Sequence, residues 1–343
     1  MRALLLIFVF GLFSCSKESN SQSIDLSKYD LTEDILWASP ENHPLTLDIY
    51  SPLNSGDSLP VLVIFHGGGW LINDNSIMDQ MSQYIASNSK LIVCNVNYRL
   101  LSDLDNTVTL DQIVGDALGA VLWVKENIDK YNGDPKRIAV TGDSAGAHLS
   151  AMIVNSENRI TDDKNFEKTL KFVPSYLPTG MSIQDIKRQN LLGVQASVLS
   201  YGAFDISEAS EQGLETSKNP FWFFSGSLPR GIFGENYSYE KNPEMYEALS
   251  PIKNIPSKRE KILPPQFLLV GSEDKLTTPI SVSAYAKKLE ENDQYSEYWV
   301  YEGKNHAFLD SGSNFFLGSS FEQDAPAALD KIIKFLEKVF SED

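Results

Sequence analysis

The chain of 343 residues is 42% hydrophobic and 22% charged, which is enough apolar material for a sizeable core and too much for a disordered chain. A net charge of −17 with no long basic run excludes a nucleic-acid partner. Two cysteines, Cys15 and Cys94, cannot build a disulfide framework, and four scattered histidines do not form a clustered zinc site, so no metal site is expected.

Residues 1–14 have the composition of a secretory signal. Met1-Arg2 supplies a positive start, and Ala3 to Phe13 is apolar apart from Gly11, a run too short to span a bilayer. The run ends in Leu12-Phe13-Ser14-Cys15, which resembles a bacterial lipoprotein signal, although Phe13 stands where a small or β-branched residue is usual. The resemblance implies cleavage before Cys15 and acylation of that cysteine, anchoring an exported protein in a membrane. Ser16 is not the aspartate that retains such proteins in the inner membrane, so the expected destination is the outer membrane. Residues 15–35, which open with the polar stretch Ser16–Ser23, are expected to be a tether, and 36–343 a folded domain.

In that domain strands and helices alternate. Leu45–Tyr50 alternates in polarity as a half-buried strand does, and Val61–Phe65 and Leu91–Val96 are β-branched runs that predict buried strands. Apolar residues from Ile113 to Val124 keep helical spacing within 111–131, and Asn132-Gly133-Asp134-Pro135 stops that helix. Further strands are predicted over Arg137–Thr141, Val194–Leu199, Phe267–Val270 and Ser296–Tyr301. Helices are predicted over Pro279–Glu291 and along the apolar face from Leu329 to Phe340. Repeated β-α units predict an α/β fold, a mainly parallel sheet with helices on both faces and ligands at the carboxyl ends of the strands. Two segments, 155–190 and 204–250, interrupt the alternation and are expected to be cap insertions. The second carries Phe221-Trp222-Phe223-Phe224, which suit either a wall for substrate or packing onto the sheet.

Gly142-Asp143-Ser144-Ala145-Gly146 lies between a predicted strand and an apolar helical run, the setting of a nucleophile elbow. A serine hydroxyl needs a base. His43 precedes the sheet, His66 belongs to a glycine loop, and His148 lies one helical turn past Ser144. His306, after the last strand, is the remaining candidate. An acid to orient it is expected after Phe267–Val270, where Asp274 is the choice and Glu273 the fallback. His66-Gly67-Gly68-Gly69-Trp70 follows a strand and offers unobstructed backbone N–H groups. With the N–H of Ala145 it can hold a developing oxyanion. A phosphate loop is the rival reading of these glycines, but no Gly-Lys-Ser/Thr or G-x-G-x-x-G accompanies them.

Over roughly Leu45 to Phe340 these pieces, with Asn97-Tyr98-Arg99-Leu100, Ser250-Pro251 and Asn305–Phe308, resemble the hormone-sensitive-lipase-like carboxylesterase branch of the α/β-hydrolase superfamily. The resemblance implies cofactor-free hydrolysis of short- to medium-acyl esters by Ser144, His306 and Asp274. It also implies an oxyanion hole of Gly68, Gly69 and Ala145. The expected partner is a small-molecule or glycan ester, with acetyl or feruloyl groups on polysaccharides as one candidate. Ser144–Leu149 also resembles the kynurenine formamidases, which leaves an arylformamidase open. A serine peptidase and a non-catalytic binding module are further alternatives.

Overall fold

A computed structural model of the chain describes residues 28–342 apart from 54, 55, 57 and 164–169. The signal of residues 1–14, Cys15 and the first part of the tether lie outside the described residues. The strands are β1 (Tyr29–Ala38), β2 (Leu45–Pro52), β3 (Leu59–Phe65), β4 (Ile92–Val96), β5 (Gly133–Asp143), β6 (Ala196–Ser200), β7 (Gln266–Gly271) and β8 (Ser296–Tyr301). They form one sheet in the order β1-β2-β4-β3-β5-β6-β7-β8. The pairs β1–β2 and β2–β4 are antiparallel and the others parallel.

Two expectations move. Residues 29–35, assigned to the tether, belong to β1, which pairs with β2 from Tyr29 opposite Pro52 to Ala38 opposite Leu45. The sheet thus begins well before residue 36. The strand beginning at Arg137 starts instead at Gly133, which pairs with Leu59 across an irregular register. Asn132 turns the chain there in the left-handed conformation, φ 63°.

The helices relevant to the site are α1 (Asp79–Asn88), α2 (Leu110–Asn127), α3 (Ala145–Ser156), α4 (Pro220–Phe224), α5 (Pro279–Glu291) and α6 (Phe321–Glu342). α2 is buried along most of its length, as its near-continuous apolar sequence requires. Its buried Asp116 accepts from Arg99, just beyond β4, at 2.9 Å from Nε and 2.7 Å from Nη2, and so fastens the strand end to the helix. α6 presents Leu329, Ile332, Leu336 and Phe340 to the core as predicted but starts earlier, at Phe321. Pro326 lies inside it, in the second turn, where it has no N–H to donate to the Glu322 carbonyl.

Strand order reverses around β3, whose sheet neighbours β4 and β5 both follow it in the chain and lie on opposite sides of it. The carboxyl ends of β3, β5, β7 and β8 therefore open toward one edge of the sheet, where ligands gather in such folds.

Candidate active site

Ser144 follows β5 and precedes α3 with φ 51° and ψ −113°, a conformation a non-glycine residue seldom adopts. The turn is possible because Gly146 has no side chain: a Cβ there would collide with the carbonyl of Phe65 in β3. The half-buried Ser144 has its N–H bound to the Ser200 carbonyl at 2.9 Å. Its Oγ lies 3.0 Å from His306 Nε2. His306 Nδ1 lies 2.7 Å from Asp274 Oδ2. The structure brings together the three residues singled out from sequence, supplied by the ends of β5, β7 and β8.

Asp274 is buried, whereas Glu273 is exposed, so the choice between adjacent carboxylates falls to Asp274. Its Oδ1 accepts from the N–H of Leu276 at 2.8 Å and of Thr277 at 3.0 Å, so its own turn orients it. Thr277 was not anticipated. Its hydroxyl donates to the Tyr201 carbonyl at 2.7 Å and lies 3.2 Å from both Asp274 Oδ2 and His306 Nδ1. The Tyr201 ring meets the imidazole edge-on at 4.8 Å. Together these bonds and the ring fix the orientation of the Asp274–His306 pair.

The other histidines are accounted for elsewhere. His148 Nε2 bonds the Leu249 carbonyl at 2.8 Å, and His66 stacks on Tyr98 at 4.3 Å. Burial pushes the pKa of each down to about 4, so both stay neutral at ordinary pH. His43 faces Asp103 at 3.4 Å.

The glycine loop leaves β3 with φ 113° at Gly68 and 61° at Gly69. The Gly68 carbonyl accepts from Leu71 and Ile72, both at 3.1 Å, which curls the loop. Among the described residues none accepts from the N–H of Gly68, Gly69 or Ala145. Those three donors are available to a ligand.

The two insertions behave differently. In 155–190, Ser175 N–H bonds the Gly115 carbonyl of α2 at 3.1 Å, so this described part lies against that helix; residues 164–169 lie outside the described residues. In 204–250, the four aromatics divide their roles. Trp222 is buried, Phe223 and Phe224 are exposed, and the Phe221 ring lies against Gly69, where an added Cβ would sit 2.8 Å from Cδ2. Arg230 ties this insertion to the β4–α2 connection, donating to the carbonyls of Asn106 (2.6 Å), Leu101 (2.8 Å) and Val108 (2.6 Å).

A buried carboxyl pair also went unread. Asp143, directly before Ser144, lies against Gly67, where an added Cβ would sit 2.3 Å from its Oδ2, and it is buried within electrostatic reach of Asp310. Burial raises Asp143 to about 6 and, with the Asp143 charge beside it, Asp310 well above the carboxylate range.

Solved structures share this arrangement of strands. The propionate-bound esterase Est2 of Thermogutta terrifontis superposes with a TM-score of 0.60 at 21% identity, covering 92% of this chain and 96% of that one. A truncated carbohydrate esterase from gut microbiota superposes with a TM-score of 0.64 at 17% identity, covering 92% and 98%. The fold is that of the α/β-hydrolases. The family model BD-FAE matches residues 47–289, and the chain belongs to that family. Among curated relatives, the esterase LipQ of Mycobacterium tuberculosis is 28% identical over 282 residues, 81% of this chain and 57% of LipQ. The chain spans about half the length, or less, of the curated relatives it matches.

Proposed function

We propose that the protein is a serine carboxylesterase in which Ser144 is the nucleophile, His306 the general base and acid, and Asp274 the orienting carboxylate. The observation that carries this reading is the continuous bonding from Ser144 Oγ through His306 to Asp274, with the serine held on a strained elbow. Asp274 takes the Nδ1 proton in a hydrogen bond and leaves Nε2 free to accept. His306 therefore removes the Ser144 proton as Oγ attacks the ester carbonyl. The carbonyl oxygen becomes an oxyanion held by the N–H groups of Gly68, Gly69 and Ala145. Collapse of the tetrahedral species breaks the C–O bond while His306 protonates the leaving alcohol. Water, deprotonated by His306, then attacks the acyl-enzyme and releases the acid and Ser144. The esterases among the relatives and structural neighbours support the reaction class.

The substrate reading is a short-acyl ester, with acetyl or feruloyl groups on polysaccharides as the natural candidates. Phe221 against Gly69 supports a restricted space beside the oxyanion donors, and similarity to a carbohydrate esterase supports a glycan alcohol. Hydrolysis of p-nitrophenyl acetate, butyrate and octanoate by residues 16–343 tests this. Turnover should fall with chain length, and Ser144→Ala should lose about 10⁴-fold or more in kcat. Full activity in Ser144→Ala would remove the assignment.

The cellular reading is export and lipid anchoring through Cys15 to the outer membrane. It is supported by the apolar run ending at Cys15 and by residues 16–28, which separate that cysteine from the sheet. Metabolic labelling with a fatty acid should mark the wild type and leave Cys15→Ser unlabelled; equal labelling would refute it.

A further inference from the structure

We infer that Phe315 and Phe316, at the tip of a hairpin beyond the His306 loop, form a lipid-docking element that enters the surface of an uncharged bilayer. The inference goes beyond the esterase reading and rests on the anchoring through Cys15 only to bring a bilayer within reach.

The hairpin consists of β9 (Ser313–Asn314) and β10 (Ser319–Ser320), with Ser319 opposite Asn314 and Ser320 opposite Ser313. Its turn is held from inside, because Asn314 Oδ1 accepts from the N–H of Phe316 and of Leu317, both at 3.1 Å. Its base is held from outside. Gln80, in the first turn of α1, accepts from the Gly312 N–H at 2.6 Å and donates its own N–H to Ser311 Oγ at 3.1 Å. The Ser320 N–H bonds Asp324 Oδ2 of α6 at 2.7 Å. On this fixed turn the two phenyl rings are 94% and 95% exposed and meet edge to face at 6.1 Å. They cover none of the core, so the fold gains nothing from two large apolar side chains at this place.

Three observations select a bilayer as the occupant. Residues 311–321 carry no charged side chain, in a chain with a net charge of −17, so the tip suits an uncharged interface and offers nothing to an ionic partner. Two phenylalanines bury at most about 500 Å², well short of the ~800 Å² per partner of a stable protein interface. A protruding tip of that size is better covered by a fluid that closes around it than by a second folded surface. The third observation is where the sheet begins. The Tyr29 ring in β1 lies 5.6 Å from that of Tyr50, whose hydroxyl donates to Asp79 Oδ1 at 3.0 Å, and Asp79 adjoins the Gln80 that holds the hairpin base. The start of the fold and the hairpin thus share the flank built on α1, which packs against both β1 and α6. From Cys15 to Lys28 the chain can extend at most about 45 Å. That length lets the α1 flank face the bilayer holding an acylated Cys15. Gly318 of the turn abuts Asn305, the neighbour of His306, where an added Cβ would sit 3.2 Å from Nδ2. Docking therefore brings the His306 edge of the site toward the lipid surface.

The test is co-flotation of residues 16–343, which contain every described residue but lack Cys15, with phosphatidylcholine vesicles at millimolar lipid. The double variant Phe315→Ser, Phe316→Ser should partition about tenfold or more weakly while keeping its circular dichroism and melting temperature. Ile262→Ser removes an exposed apolar side chain before the amino end of β7 and should leave partitioning unchanged. Phosphatidylglycerol in the vesicles should weaken binding at low salt, because the chain is strongly acidic. Relative to the wild type, Phe316→Trp should gain emission that shifts to the blue on vesicles and is quenched by brominated phosphatidylcholine. No flotation of the wild type, equal flotation of the double variant, or an unshifted emission in Phe316→Trp would overturn the inference. A dimer that the double variant dissociates, without flotation, would also overturn it and give the tip to a second copy. Failure of fatty-acid labelling at Cys15 would remove the anchor without altering these results, and failure here would leave the anchor standing.

Discussion

Thr277 shows how much of the site depends on a residue that performs no chemistry. Its hydroxyl joins the Tyr201 carbonyl to the Asp274–His306 pair, while its N–H and that of Leu276 hold the other carboxylate oxygen. Thr277→Val keeps the shape and the backbone donors but removes the hydroxyl. We expect kcat to fall about tenfold with KM little changed, and Thr277→Ser to restore most of it; steady-state kinetics on p-nitrophenyl acetate checks both. The site was legible from sequence where a residue type is constrained by its own neighbours. Ser144 stands between glycines that the elbow requires, and His306 emerged by elimination among four histidines. Asp274 and Glu273 differ only in which of two adjacent side chains turns inward, which local sequence does not fix. Asp310 was illegible for a different reason: it comes within electrostatic reach of Asp143 only after the chain has laid down β6, β7 and β8 between them.

At the scale of elements, buried strands were the clearest signal, since β3 and β4 are β-branched runs and β7 is a short apolar one, all buried on both faces. β1 gave no such signal. It is an edge strand, mostly solvent-facing, with Asp34 at positive φ and register breaks where it pairs with β2, so its sequence carries neither an apolar run nor clean alternation. The polar join between Arg99 and Asp116 is the element-level contact with the greatest leverage, because Arg99 is 4% exposed and Asp116 is fully buried. Asp116→Ala leaves the guanidinium with two long neutral contacts, Ser175 Oγ at 3.3 Å and the Gln112 carbonyl at 3.4 Å, and a more distant carboxylate, Glu41 at 3.7 Å. We expect a loss of about 3–5 kcal/mol, measured as a lower urea midpoint with an unchanged m-value. A shift within experimental scatter would show that the pair adds nothing to the attachment of β4 to α2.

For the whole molecule, buried acids set the dependence of stability on pH. Burial raises Asp79, Asp111 and Asp143 to about 6, and raises Asp48 and Asp310 as well. Unfolded aspartates titrate near ~3.9, so above that pH the folded state holds protons that the unfolded state has released. Stability from these groups is complete below the unfolded value and is lost as pH rises through the folded values. His66 and His148, lowered to about 4, act in the opposite sense between ~4 and ~6.5. These carboxyls outnumber the two imidazoles, and the self-repulsion of a chain at −17 adds to the carboxyl side. The melting temperature should therefore be higher at pH 5 than at pH 8, and a scan showing the reverse would mean that these acids are ionised in the fold.

The central claim is that Ser144 is a nucleophile activated by His306, and covalent labelling tests it most directly. Incubation with paraoxon followed by peptide mass mapping should place one diethylphosphoryl group on Ser144, with labelling slowed by about a hundredfold or more in His306→Ala. A label on another residue, or an equal rate in His306→Ala, would contradict the account.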